Sequence, residues 1–112
     1  MLAKANRLTK EKEFTKTFRK GRSSYDEIMG VKVVKNGLQI NRFGIIVGRK
    51  ISKKAFERNK IKRQIRAIIR SKIELIKKGN DVLIIVSPEA LIKTFHDLEK
   101  SIYFNFKKLE IL

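Results

Sequence analysis

Apolar positions along the chain follow two rhythms. In "TKEKEFTKTFRKG" (residues 9–21), Phe14 and Phe18 stand four apart in otherwise polar sequence. That spacing puts both on one face of a helix. Thr9 is positioned to cap it, Glu11 and Glu13 suit the positive end of its dipole, and Arg19, Lys20 and Gly21 suit its end. Residues 23–48 read as strands instead. β-branched runs flank Asn36-Gly37, a hairpin signal. "FGIIVG" is nearly all apolar and reads as a strand buried on both faces. Helical rhythm then returns: Ile61, Ile65, Ile68, Ile69, Ile73 and Ile76 form one stripe, ended by Lys78-Gly79-Asn80. "DVLIIVS" (81–87) is a second short buried strand, broken by Pro88. Thr94 and Asp97 resemble a capping box, and Phe95, Leu98, Ile102, Phe106 and Leu109 recur behind it at helical spacing.

The order is therefore αβββαβα. It predicts an α+β fold, a single domain over residues 1–112 built as a two-layer α/β sandwich. About four strands form a mixed sheet with three helices. A chain of 112 residues that is 42% hydrophobic can bury one core of that kind.

Charge changes the picture. There are 28 Lys and Arg against 11 Asp and Glu, a formal net charge of +17. Self-repulsion of that size opposes compaction and is relieved by a polyanion, most commonly nucleic acid. A merely soluble basic domain has a more balanced surface. A membrane-surface role fits less well, because the apolar residues read as core. There are no cysteines and a single histidine, His96, so neither disulfides nor a Cys/His zinc cluster is available. No apolar run approaches the ~20 residues of a membrane span. The N-terminus "MLAKANRLTKEKEF" lacks a signal-peptide core, so a cytoplasmic location is expected. The acids are scattered and His96 has no evident partner, which argues against a self-sufficient hydrolase. No tightly bound cofactor is expected.

Eleven of the 28 basic residues lie between 49 and 72. On a helical wheel Asn59, Lys62, Arg63, Arg66 and Arg70 share about a third of the circumference, beside the isoleucine arc. One side would dock on the sheet while the adjacent side presents cations. A salt-bridged surface would need carboxylates one turn away, and only Glu57 and Glu74 are near. Phe14 and Phe18 offer a second site. They serve either as core or as a stacking platform for single-stranded RNA, with Arg7, Lys10 and Lys16 as its basic rim.

These segments resemble a known family. "RFGIIVGRKISKKAFERNKIKRQIR" (42–66) is similar to the signature of the bacterial ribonuclease P protein component. "RLTKEKEFTKTFRKG" (7–21) resembles its first helix, and "DVLIIVSPEAL" and "TFHDLEKSIYFNF" its last strand and helix. The resemblance implies a protein that binds a catalytic RNA and, with it, removes the 5′ leader of precursor tRNA. The RNA and its Mg2+ ions carry out the hydrolysis. The family's RNR motif falls on Arg58, Asn59 and Lys60, continued by Lys62, Arg63, Arg66 and Arg70, with Lys53 and Lys54 ahead of it. Lys60 stands where the family usually has Arg, so charge is kept but a bidentate fork is lost. The implied leader site comprises Phe14 and Phe18, with Arg7, Lys10, Lys16, Arg49 and Lys50. Lys32 falls near an expected aromatic on the facing strand, so charge replaces stacking there. A left-handed crossover between the two parallel strands, against the general rule, and a monomer bound to one RNA subunit are also implied. Alternatives are a structural RNA-binding protein such as a ribosomal protein and, less well matched, a helix-turn-helix DNA binder, which needs a short helix where strands precede this one.

Overall fold

The computed structural model describes residues 2–112. Three helices accompany four strands: α1 (Glu11–Lys20), β1 (Arg22–Tyr25), β2 (Met29–Lys35), β3 (Arg42–Ile46), α2 (Ala55–Ser71), β4 (Asn80–Val86) and α3 (Phe95–Lys108). Short 3-10 turns at Lys4–Asn6 and Pro88–Ile92 complete the order αβββαβα. The sheet runs β1-β2-β4-β3. β4 is antiparallel to β2 and parallel to β3, so the sheet is mixed.

Side chains alternate across a strand, so the register sorts the sheet into two faces. Val31 and Val33 of β2, Phe43 of β3, and Val82 and Ile84 of β4 point to one face. There they meet Ile61, Ile65, Ile68 and Ile69 of α2 and Leu98, Ile102 and Phe106 of α3. Ile65, Ile68 and Ile69 are completely buried. Each contributes roughly 2–3 kcal/mol of burial, which is what holds a highly charged helix on the sheet. The sheet and the α2–α3 layer form the two-layer sandwich. α1 crosses the other face, over β2 and β4.

Several expectations are corrected. Asn36-Gly37 does turn the chain, with Gly37 at φ 73°, but it makes no hairpin. β4 inserts between β2 and β3, so residues 36–41 carry the chain past it. β2 pairs with β1 instead, across a turn where the Asp26 carboxylate accepts the Ile28 and Met29 N–H groups. "FGIIVG" is an edge strand: Ile46 is exposed, while β4, with neighbours on both sides, is the doubly buried one. The free edge of β3 is covered by the N-terminal segment, where the Leu8 N–H donates to the Phe43 carbonyl at 2.9 Å. The cap of α1 is Lys10 rather than Thr9. α2 ends at Ser71, whose hydroxyl donates to the Ile68 carbonyl at 2.6 Å. Ile73 and Ile76 extend the apolar stripe through turns and not through helix. Thr94 and Asp97 do form a reciprocal capping box.

Candidate nucleic-acid interface

Two surfaces bear the residues singled out in the sequence. The first is the outer side of α2. Asn59, Lys60, Arg63 and Arg70 are exposed, and Lys62 and Arg66 flank them half-buried. Among the described residues, none of the cations from Arg49 to Arg70 has a carboxylate at salt-bridge distance. Glu57, the acid of the first turn, accepts the Ser52 hydroxyl instead. Arg58 departs from this line. Its guanidinium donates to the Ser52 carbonyl at 2.9 Å and braces the loop before the helix. That loop, the connection from β3 to α2, gathers Arg49, Lys50 and Lys53 around one groove. Lys54 is the N-cap position of α2.

The second surface is the sheet face beneath α1. Register places Ser23 and Tyr25 of β1, Gly30 and Lys32 of β2, Leu83 and Ile85 of β4, and Gly44 and Ile46 of β3 on it. Two glycines in its floor accommodate aromatic rings. A Cβ on Gly44 would sit 2.5 Å from Phe14, and one on Gly30 would sit 2.5 Å from Tyr25. Phe14 is thereby packed against the floor. Phe18, one turn on, is 54% exposed and Tyr25 is 60% exposed. Lys32 lies between the two open rings, its Nζ 4.9 Å from the Phe18 centroid and 6.0 Å from that of Tyr25. The ammonium also donates to the Ser23 hydroxyl at 3.2 Å. Ser23 and Lys32 together hold the Tyr25 hydroxyl below its ordinary pKa.

A carboxylate–guanidinium cluster fixes α1 over this face. Arg42 of β3 donates to both oxygens of the buried Asp81 at 2.8 Å, and to Glu13 of α1 at 2.5 Å. Glu13 uses its other oxygen to accept the Lys10 N–H at the helix start. Asp81 also accepts from the Asn36 side chain at 2.9 Å. The hydrogen bonds to Asp81 keep the Arg42 guanidinium above its ordinary pKa.

The remaining expectations divide. Arg7 is turned inward, with two guanidinium nitrogens donating to the Leu2 carbonyl, so its side chain is not a free part of the rim. Lys16 lies with Lys12, Arg19 and Lys20 around a groove formed by α1 residues alone. It is half a turn from Phe14, away from the aromatic face. Lys10 is exposed at the start of α1. His96 is exposed, 3.9 Å from Glu99. Tyr25 and Arg42 were not singled out from sequence. For Tyr25 the signal was its two-residue spacing from Ser23, but only the β1–β2 register aligns it with Lys32. Arg42 carried no local signal, since both its partners are remote in sequence.

Comparison with known proteins gives a consistent result. A family model for ribonuclease P matches residues 2–110. The ribonuclease P protein component of Clostridium botulinum (strain 657) is 33% identical over 109 residues, covering 96% of this chain and 97% of that protein. The same component of Clostridium acetobutylicum is 36% identical, covering 94% and 89%. Among solved structures, the RNase P protein of Staphylococcus aureus is similar with a TM-score of 0.89 at 28% identity, over 96% of this chain and 98% of that one. The Thermotoga maritima RNase P protein gives 0.83 at 32% identity, over 91% and 96%. The ribosomal-type alternative gains no support from these matches.

Proposed function

Because the chain belongs to the ribonuclease P protein family, and so is a protein component of that tRNA-processing endoribonuclease, we propose that it meets RNA through two separate surfaces. The outer side of α2, with Asn59, Lys60, Lys62, Arg63, Arg66 and Arg70, binds the catalytic RNA subunit. The sheet face under α1, with Phe18, Tyr25 and Lys32, binds the 5′ leader of precursor tRNA. Arg49, Lys50 and Lys53, grouped around one groove in the connection from β3 to α2, add phosphate contacts.

The observation that carries this reading is Lys32 between two exposed rings. An ammonium flanked by flat apolar faces suits a strand with bases to stack and a phosphate beside them. Phe14, half-buried against Gly44, flanks the same face with less of its ring open than Phe18. Hydrolysis in this reading belongs to the RNA subunit and its magnesium. Glu13 and Asp81 are both taken by Arg42. Among the described residues no three Asp, Glu, His or Cys side chains converge as a ligand set. The protein acts by holding substrate and RNA together, as one monomer per RNA subunit.

The test is reconstitution at limiting magnesium with the RNA subunit and precursor tRNA. Protein should raise cleavage of leader-bearing substrate more than that of substrate with a one-nucleotide leader. Equal stimulation of both would refute a leader-binding sheet face. Correct cleavage by the protein without RNA would refute the division of labour.

A further inference from the structure

Phe56 is the most exposed aromatic among the described residues, at 68%. It stands in the first turn of α2, away from the buried isoleucines, and packs into no core. On the helix it heads a line with Asn59, Lys60 and Arg63, at i+3, i+4 and i+7. The Lys54 ammonium lies 5.9 Å from its ring centroid. The loop just before it carries the Arg49, Lys50 and Lys53 groove.

We infer that Phe56 is a base-stacking contact to the RNA subunit, set among the cations that bind its backbone. This rests on the reading of α2 given above and extends it from charge to stacking. The physical reason is the pairing of needs. An exposed ring asks for a flat apolar cover, and its neighbours ask for negative charge. A nucleobase with its own phosphate supplies both one backbone step apart. An apolar protein surface would cover the ring but leave Lys54, Lys60 and Arg63 facing it uncompensated, at a desolvation cost. Phe56 and Phe18 then stack on two different RNAs: Phe18 on substrate, Phe56 on the RNA subunit.

The experiment measures RNA-subunit affinity across a salt series for wild type, Phe56→Ala, Phe56→Trp and Arg63→Ala. Phe56→Ala should weaken binding by about five- to 150-fold, the range for loss of one stacked base. Its slope of log affinity against log salt should match wild type, since stacking releases no counterions. Arg63→Ala should reduce that slope by about one. Phe56→Trp should bind like wild type. The wild-type chain contains no tryptophan, so the indole fluorescence of this variant reports on one site and should be quenched by the RNA with the same midpoint. Binding by Phe56→Ala within twofold of wild type, or indole fluorescence of Phe56→Trp left unquenched by saturating RNA, would overturn the stacking contact even if Arg63→Ala still weakens binding. No effect of Arg63→Ala would overturn the underlying reading of α2. Loss of self-association in Phe56→Ala, seen by sedimentation with RNA affinity intact, would assign the ring to a second copy of the chain and also overturn the proposal.

Discussion

The outer side of α2 and the sheet face under α1 are both basic, but their cations are held differently. On α2 the charges end long side chains, and among the described residues none is neutralised by an acid. Under α1 the groups are fixed: Arg42 by two carboxylates, and Lys32 between two rings and a hydroxyl. The first suits a large, fixed phosphate surface that compensates many charges at once. The second suits a short single strand whose place must be set before it arrives, since ordering both partners on binding costs affinity. Preorganisation, more than net charge, separates the two.

The widest gap between them should open on breaking the Arg42 cluster. Arg42→Met leaves Asp81 buried with only Asn36 for company and frees Glu13 from the sheet. Urea denaturation should show a loss of about 3 kcal/mol, within the range for halving a buried ion pair. Under conditions where the variant is folded, leader discrimination should fall while affinity for the RNA subunit stays near wild type. A parallel fall in both would mean that the surfaces are not independent. Next, Phe18→Ala should weaken leader-bearing substrate by about 1–3 kcal/mol and spare leaderless tRNA. Equal losses for both would assign Phe18 to packing. On the other side, Lys60→Ala should reduce the salt slope for the RNA subunit by about one while leader preference is unchanged.

The smallest effect should come from Asp97, which lies on neither surface. The Thr94 backbone and hydroxyl lower its pKa. A carboxylate whose folded pKa is depressed stabilises the fold above its unfolded pKa and loses that contribution as pH falls through the folded value. Asp97→Ala should therefore be less stable than wild type near neutrality. That difference should vanish on acidification below the carboxylate range, as followed by thermal melts. RNA binding at neutral pH should not change.

What was legible in the sequence was local. The isoleucine stripe of α2, the capping box at Thr94 and the four-residue spacing of Phe14 and Phe18 are written within a few turns of chain, where helix geometry alone decides the face. What failed depended on partners far away. "FGIIVG" and "DVLIIVS" look equally apolar, and only the strand order makes one an edge and the other the centre. Asn36-Gly37 signals a turn correctly, but it carries no information on which strand lies beyond it. The same limit hid Tyr25. Lys32 suggested a missing aromatic on its own strand, while the ring arrives from β1, opposite Gly30. The basic composition of α2 was plain, yet not that Arg58 would turn back to brace its loop or that Arg7 would be spent on Leu2. A cation's type is readable from sequence, and its hydrogen-bond partner is not.

The position of β4 sets the order in which this molecule becomes functional. β2 and β3 are neighbours in the chain, but the strand that joins them in the sheet starts 34 residues after β3 ends, beyond the whole of α2. Until β4 arrives the sheet is two fragments, and the isoleucines of α2 have only a partial floor. Closing such distant pairings is slow compared with forming a helix. During synthesis the most cationic helix therefore emerges before the surface that orients it. Arg42 likewise waits for Asp81 before it can secure α1. Completion of the sheet face under α1 and fixing of α2 thus fall on a single late event, insertion of one strand. A ligand that binds only the completed fold would favour that event by mass action, so RNA should act on this protein as a folding partner as well as a target.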